Sequence, residues 1–294
     1  MQFRKVTLVG VGLLGGSLGL ALRERQLAAE VWGLVRRAEV VPDVVAAGVV
    51  DRATIRLAEA VAGADLIVLC SPVGQMHALM NAMVPHLAPG AVITDVGSVK
   101  VNIVAQLEPL AEAAGAWFVG SHPMAGAERT GFQAARADLF QGTTCVVTPT
   151  PQSQPEAEAR VKALWHALGA KTLTLTPQQH DELVSRSSHL PHAVAAGLAN
   201  YVLSPAHART QAALCATGFR DTTRIASSSP EMWRDIALGN RQNLSRALGV
   251  LVADLQEFQR SLDENDAPAV EEFFASAKRR RDVWLGSSHT TSQE

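Results

Sequence analysis

Residues 6–22 read VTLVGVGLLGGSLGLAL. A short β-branched run gives way to glycines and then to an Ala/Leu-rich stretch, the pattern of a strand, a tight turn and the opening of a helix. Within it Gly10, Gly12 and Gly15 form G-x-G-x-x-G, with Leu13 and Leu14 between the last two glycines. Each glycine has its own task in such a turn. The first permits the sharp bend, the second lets a pyrophosphate approach the backbone, and the third lets the helix lie close to the strand. The free N–H groups and positive dipole end of the helix then face the anion. The stretch is read as a dinucleotide cradle spanning Gly10, Gly12, Leu13, Leu14 and Gly15. The alternative is that the glycines serve only close packing.

Outward from the cradle, β-branched runs alternate with helical patterns. Strands are predicted at Val6–Val9, Val31–Val35, Leu66–Cys70, Val92–Thr94, Trp117–Val119, Thr144–Val147 and Thr172–Leu175. Helical stretches such as GGSLGLALRERQL, VGQMHALMNAMVPHL and KVNIVAQLEPLAEAA lie between them. This alternation argues for an α/β domain built on a mostly parallel sheet of Rossmann type, covered by helices on both faces. From about Pro177 the strand runs stop, and long helical segments such as RQNLSRALGVLVADLQEFQRSL take over. The expected organisation is a dinucleotide-binding domain over residues 1–174, an all-α substrate and dimerisation domain over 175–286, and a disordered tail over 287–294. The helical half carries more apolar residues than one isolated layer can bury, which predicts a homodimer through it.

Composition narrows the class. The 294 residues are 47% hydrophobic and 18% charged, as in an ordinary globular protein. A formal charge of −2 with no basic run argues against nucleic acid as a partner. Cys70, Cys145 and Cys215 are odd in number and far apart, which fits neither a disulfide framework nor a metal knuckle. With no apolar run of spanning length and no signal-peptide pattern at MQFRKVTLVG, a cytoplasmic location and no membrane association are expected.

The second strand bears on cofactor choice. Where NAD-preferring sites carry Asp or Glu after it, this chain has Val35 followed by Arg36 and Arg37. Lacking a carboxylate for a ribose 2′-hydroxyl, and with guanidinium groups suited to a 2′-phosphate, the site favours NADP, with NAD as the second cofactor. A solvated loop face is the competing reading of the arginines.

Ligands of a parallel sheet gather beyond the carboxyl ends of its strands. Besides the cradle, CSPV (Cys70–Val73), DVGSVK (Asp95–Lys100) and GSHPMAG (Gly120–Gly126) fall there. Ser71, Pro72 and Val73 would run beside the dinucleotide. Ser98 stands where a strand becomes a helix, either as a plain N-cap or as a hydroxyl facing the nicotinamide end. Lys100 is read as a neighbour of solvent or phosphate rather than as a catalytic amine. His122, just past the strand WFVG and followed by Pro123, suits a side chain aimed into a cleft, where a near-neutral imidazole can accept a hydroxyl proton. A histidine that merely satisfies loop backbone is the alternative. In the helical half, His189 and His192 have a metal-pair spacing without further ligands, so no metal is expected. Arg220 and Arg224, four apart on one helical face, can grip a dicarboxylate, unless they pair with Asp221 and nearby acids.

In this order the motifs GVGLLGGSLGLAL, DVGSVK, GSHPMAG, HD…SHLPH and GFRDTTRIA resemble the prephenate/arogenate dehydrogenase family of tyrosine biosynthesis, from the N-terminus to about residue 285. The resemblance implies an NAD(P)-binding Rossmann domain joined to a helical dimerisation domain, and oxidative decarboxylation of a cyclohexadienol. It implies that His122 takes the proton of the ring C4 hydroxyl as hydride leaves C4, and that Ser98 assists that hydroxyl and orients His122. Arg224, with Arg220 second, would bind carboxylate, and His189 and His192 would hold the substrate from the helical side. The chain departs from the family in lacking the acidic residue after the second strand, which again points away from NAD. No stretch resembles a chorismate mutase or a regulatory ACT domain, so a monofunctional enzyme is expected.

Two rivals remain. Another two-domain hydroxyacid dehydrogenase of the β-hydroxyacid type would use a lysine on a helix of its second domain, yet no lysine occurs between Lys171 and Lys278. A non-catalytic dinucleotide-binding regulator would need the cradle but no histidine, serine and arginines converging on it.

Overall fold

The strand read at residues 6–9 begins earlier, at Phe3, and the computed structural model describes residues 3–126, 130–204 and 208–290. Six parallel strands, β1 (Phe3–Val9), β2 (Ala28–Leu34), β3 (Arg52–Thr54), β4 (Leu66–Leu69), β5 (Val92–Asp95) and β6 (Trp117–Phe118), form one sheet in the order β3-β2-β1-β4-β5-β6. This is the expected doubly wound sheet, whose strand order reverses between β1 and β4.

Alternation along the strands explains the two-faced core. Val6 and Leu8 of β1, Leu66 and Val68 of β4, and Val92 of β5 pack on one face, while Val9, Ile67, Leu69 and Ile93 pack on the other. The first face is covered by α1 (Leu13–Glu24) and α6 (Pro155–Ala167), through Leu18, Leu22, Val161 and Trp165. The second face is covered by α4 (Val73–Met83) and α5 (Val101–Ala113), through Met76, Met80, Ile103 and Leu107. The short helices α2 (Val40–Ala46) and α3 (Leu57–Val61) complete the crossovers.

Two strands of the structure were absent from the sequence reading. One is β3, only three residues long. The other is β7 (Gly120–Pro123), which leaves the large sheet after Val119 and pairs antiparallel with β8 (Thr144–Thr148), with His122 opposite Val146. β8 pairs in parallel with β9 (Lys171–Thr174), so the last two predicted strands belong to a separate three-stranded sheet.

After β9 the described residues are helical. Thr176 and Gln179 form a reciprocal capping box that opens α7 (Pro177–Val184). A π-helical turn, Ser185–His189, joins α7 to α8 (Leu190–Val202). Then follow α9 (Ala208–Ala213), α10 (Thr217–Thr223), a 3-10 turn (Arg224–Ser227), α11 (Pro230–Gly239), α12 (Arg241–Asp263) and α13 (Ala267–Thr290).

The chain divides into two compact units, Met1–Arg241 and Gln242–Glu294. Helices α7 to α11 therefore share a unit with the sheet, whereas the sequence boundary was drawn at 174/175, where the strands end. The reason is visible at α7, whose Asp181 carboxylate accepts hydrogen bonds from the backbone at the start of α5. In the second unit, Phe258 of α12 stacks on Phe273 of α13 at 4.3 Å between ring centroids, while Val250, Leu262, Phe274 and Trp284 remain exposed. The expected tail from residue 287 meets α13, which continues to Thr290; residues 291–294 lie outside the described ones. No described helix is long and apolar enough to cross a membrane.

Candidate active site

Gly10 and Gly15 have the tight turn and the close packing expected of them. Gly10 has φ +105°, a conformation that side chains rarely adopt, and a Cβ there would stand 3.0 Å from the Cys70 carbonyl oxygen. A Cβ on Gly15 would lie 2.0 Å from the Gly10 carbonyl oxygen, so α1 can rest on the turn only because Gly15 has none. Gly12 differs: a Cβ there would meet nothing within 4 Å. Packing does not require that glycine, and the open space beside it fits the backbone approach of a pyrophosphate. Gly12 caps α1 without a side-chain bond, and no acid stands in the first turn, so the N–H groups of Leu13, Leu14 and Gly15 are left for an anion.

The loop after β4 runs beside the turn. Ser71 there has a buried Oγ with no hydrogen-bond partner, Pro72 caps α4, and Val73 begins it. Beyond β2, Val35 turns into the core at 7% exposure. Arg36 is thus the first exposed side chain after the strand, followed by exposed Arg37. The first two exposed side chains that follow the strand here are guanidinium groups.

At the end of β5 the chain buries charge. Asp95 and Lys100 are fully buried and paired, Nζ to Oδ2. Asp95 also accepts from the backbone N–H of Gly97 at 2.8 Å and of Ser121 at 3.1 Å. The expectation that Lys100 borders solvent or phosphate is therefore corrected: its ammonium is consumed by a neighbouring carboxylate inside the protein. Between the pair lies partly buried Ser98, in the turn that leads into α5.

Beside this pair, β7 presents His122, 7% exposed, whose neighbour Ser121 is held by Asp95, Thr94 and the Trp165 indole N–H. The Nδ1 of His122 lies 2.8 Å from Nε2 of His180, and Nδ1 of His180 lies 2.7 Å from Oδ1 of Asp181. The same carboxylate accepts from the backbone N–H of Lys100 at 2.7 Å and, through Oδ2, of Val101 at 2.9 Å. An acid at this place also complements the helix dipole of α5.

Asn240 closes the other side. Its Nδ2 donates to the Asp181 carbonyl at 2.6 Å and lies 3.3 Å from Nδ1 of His189. His192 donates Nδ1–H to the Ser188 carbonyl at 2.9 Å and stacks on Trp233 with 3.7 Å between centroids. His189 meets the same indole edge-on.

Burial keeps these imidazoles neutral. It pushes His122 well below the ordinary 6.5, and the positive fields of His180, Lys100 and His189 push the same way. His180 is lowered by burial against the opposing pull of its bond to Asp181. His189 is lowered to about 4 by burial, despite Asp181 and the Ser98 backbone, which favour its charged form. His192 is lowered by burial, offset by the Ser188 carbonyl.

Of the residues singled out in the sequence, Ser98, His122 and His189 are thus tied to one network through Asp181, and His192 adjoins it across Trp233. Arg220 and Arg224 are exposed. Arg220 lies in α10, and Arg224 follows its last residue and opens the 3-10 turn, which packs against α8, the helix of His192. Asp95, His180 and Asp181 stood inside the quoted motifs DVGSVK and HD…SHLPH but were given no role, and Asn240 was not singled out. The adjacent His-Asp pair after the capping threonine was the one local signal available.

With this geometry in hand, comparison with known proteins is direct. Residues 18–174 match the family model described as prephenate dehydrogenase, nucleotide-binding domain, and residues 176–276 match that of the prephenate dehydrogenase dimerization domain. A cyclohexadienyl dehydrogenase of Zymomonas mobilis is 32% identical over 95% of both chains. Among solved structures, prephenate dehydrogenase from Aquifex aeolicus, in complex with hydroxyphenyl propionate and NAD+, superposes with a TM-score of 0.88 at 30% identity, covering 96% of this chain and 99% of its own. Synechocystis arogenate dehydrogenase gives 0.80 at 30% identity over 95% and 99% of the two chains. A 3-hydroxyisobutyrate dehydrogenase from Salmonella typhimurium, at 14% identity, shares the fold alone. The two family models and these matches along nearly the whole chain agree, and the chain belongs to the prephenate dehydrogenase family.

Proposed function

We propose that the chain is a dehydrogenase that oxidatively decarboxylates prephenate, arogenate or both, prefers NADP over NAD, and works as a cytoplasmic homodimer. The observation that carries the reading is His122, a buried imidazole held neutral by its surroundings and bonded through Nδ1, which leaves Nε2 for a substrate. Its division of labour follows the sequence boundaries: residues 1–174 hold the dinucleotide and 175–286 contribute substrate contacts and the subunit interface. The exposed apolar residues of α12 and α13 are consistent with a second subunit covering them.

Gly10, Gly12, Leu13, Leu14 and Gly15 would hold the pyrophosphate, Arg36 and Arg37 the 2′-phosphate, and Ser71, Pro72 and Val73 the edge of the dinucleotide. When bound, that cofactor supplies the two-electron acceptor for the hydrogen on ring C4. His122 accepts the C4 hydroxyl proton as that carbon becomes a carbonyl. Ser98 supports the same hydroxyl. The ring carboxylate then departs as CO2, its bonding electrons complete the aromatic ring as the C4 carbonyl pair moves onto oxygen, and that oxygen takes a proton back from His122. Arg224, assisted by Arg220, binds carboxylate from the helical side, where His189 and His192 frame the substrate. Because the base is neutral at pH 7, it needs no prior deprotonation.

The reading is tested by incubating the protein with prephenate or arogenate and each dinucleotide while following reduced nicotinamide by absorbance. His122→Asn should lower kcat by roughly 10²–10⁴-fold and leave the substrate KM nearly unchanged. Undiminished turnover removes His122 from the chemistry. A kcat/KM ratio favouring NAD overturns the assignment of Arg36 and Arg37.

A further inference from the structure

We propose that His180 and Asp181 are positioning residues that set the tautomer of His122, placing its proton on Nδ1 and a free lone pair on Nε2, and that Asp181 holds the Ser98 turn in register with that imidazole. The inference rests on the reading of His122 as the proton acceptor and adds what selects its reactive nitrogen.

The argument is one of donors and acceptors. Asp181 receives two backbone N–H groups, from Lys100 at 2.7 Å and Val101 at 2.9 Å, so its carboxylate is an acceptor. His180 Nδ1, 2.7 Å from Oδ1, must then be the donor. A neutral imidazole with its proton on Nδ1 has a lone pair on Nε2. His122 Nδ1, 2.8 Å from that lone pair, must in turn donate, which leaves its own Nε2 unprotonated. Each ring's tautomer is dictated by the one before it, starting from Asp181. The result opposes the preference of a free imidazole only through a continuous chain of acceptors.

The chain works only while His180 is neutral. A protonated His180 would donate from Nε2 as well, forcing the His122 proton onto the wrong nitrogen. Burial and the Lys100 ammonium disfavour that charge, against the pull of Asp181 and Asp95. Around His122 itself, His180, Lys100 and His189 all oppose a positive charge. The Lys100–Asp95 pair is therefore part of the same electrostatic setting.

Asp181 also joins the two elements that must meet at a substrate. Its side chain fixes the N–H groups of Lys100 and Val101 at the start of α5, two and three residues after Ser98, and its backbone carbonyl takes Asn240, which reaches His189. One residue of α7 thus orients groups from β7, the β5–α5 turn and the helical side.

The test is long-range proton–nitrogen NMR on histidine-labelled protein at pH 7.5, with kinetics on two variants. The expected wild-type spectrum shows His122 as the Nδ1–H tautomer. In His180→Leu the acceptor is lost: His122 should shift toward Nε2–H, and kcat should fall about a hundredfold, with substrate KM and dinucleotide Kd within about twofold of wild type. His180→Gln, whose amide oxygen can accept from Nδ1, should recover at least about a third of a log unit of kcat and the original tautomer. An Nε2–H tautomer in wild type, or a His180→Leu kcat within about threefold of wild type, overturns the proposal. Wild-type protein that binds NADP yet turns over neither prephenate nor arogenate refutes the functional reading instead, while the NMR tautomer still decides the relay.

Discussion

Gly12 and Gly15 belong to one motif, yet the structure assigns them opposite duties, and exchanging each for alanine separates the two. In Gly15→Ala the new methyl would stand 2.0 Å from the Gly10 carbonyl oxygen and 3.1 Å from the Cys70 Cβ. Helix α1 would have to back away from the β1 turn by about 1 Å. Overpacking of this kind costs about 1–3 kcal/mol, and at about 2–4 °C per kcal/mol for a chain of this size the melt should move down by roughly 2–12 °C. In Gly12→Ala the methyl would point into open space, at φ −98°. Only an N-cap preference of about 0.5 kcal/mol is lost, roughly 2 °C. The same methyl would occupy the approach path of the pyrophosphate. If relieving it costs about 1.4 kcal/mol or more, the NADP Kd rises at least about tenfold. Thermal melts without dinucleotide and calorimetric titration with NADP measure both quantities. A Gly12→Ala protein that binds NADP as tightly as wild type would remove the cradle, and a Gly15→Ala protein with an unchanged melt would remove the packing argument.

Acid should destabilise the protein through its histidines. With the folded pKa of His189 lowered from 6.5 to about 4, its neutral form is favoured in the fold; above pH 6.5 the folded and unfolded chains carry the same charge there, and between 6.5 and 4 only the unfolded chain takes up the proton. At about 1.36 kcal/mol per unit, roughly 3 kcal/mol of stability disappears across that window, and His122 and His180 add to the loss in the same direction. Urea midpoints from pH 7.5 to 4.5 should fall steadily, less steeply in His189→Asn; a flat profile contradicts the burial argument. Lys100→Met should cost about 3–5 kcal/mol, because Asp95 is left charged and fully buried, and adding Asp95→Asn should restore part of it. Thermal melts of the single and double variants decide this, and a double variant no better than the single would refute the pairing.

The Rossmann half was legible in sequence because its strands are β-branched runs buried on both faces, and the glycine spacing at residues 10–15 has few structural uses. What escaped had no such signature. β3 is three residues long and reads Arg-Ala-Thr, with little to bury. β7 reads Gly-Ser-His-Pro, a composition that argues for a turn; it is a strand because Asp95 and β8 bond it in place from far along the chain. Long-range pairing likewise hid the site. Lys100 is the local exception, since its partner Asp95 stands only five residues earlier and was read only as part of a strand end. His180 and Asp181 sit 58 residues or more from the groups they serve, so their role becomes visible only when α7 is seen against β7 and α5. Ser98, His122, His189 and His192 could be singled out because short motifs at strand ends and helix starts concentrate polar chemistry.

The π-helical turn at Ser185–His189 has a consequence for the angular phase of the helices it joins. At about 3.6 residues per turn, His180 and His189 on an unbroken α-helix would point in nearly opposite directions, some two and a half turns apart. The wider turn takes up more residues per revolution and so reduces that offset, and Asn240 bonds both the Asp181 carbonyl before the turn and the His189 ring at its end. Removing one residue between those two histidines should turn His189 by about 100° relative to His180 and break its contact with Asn240.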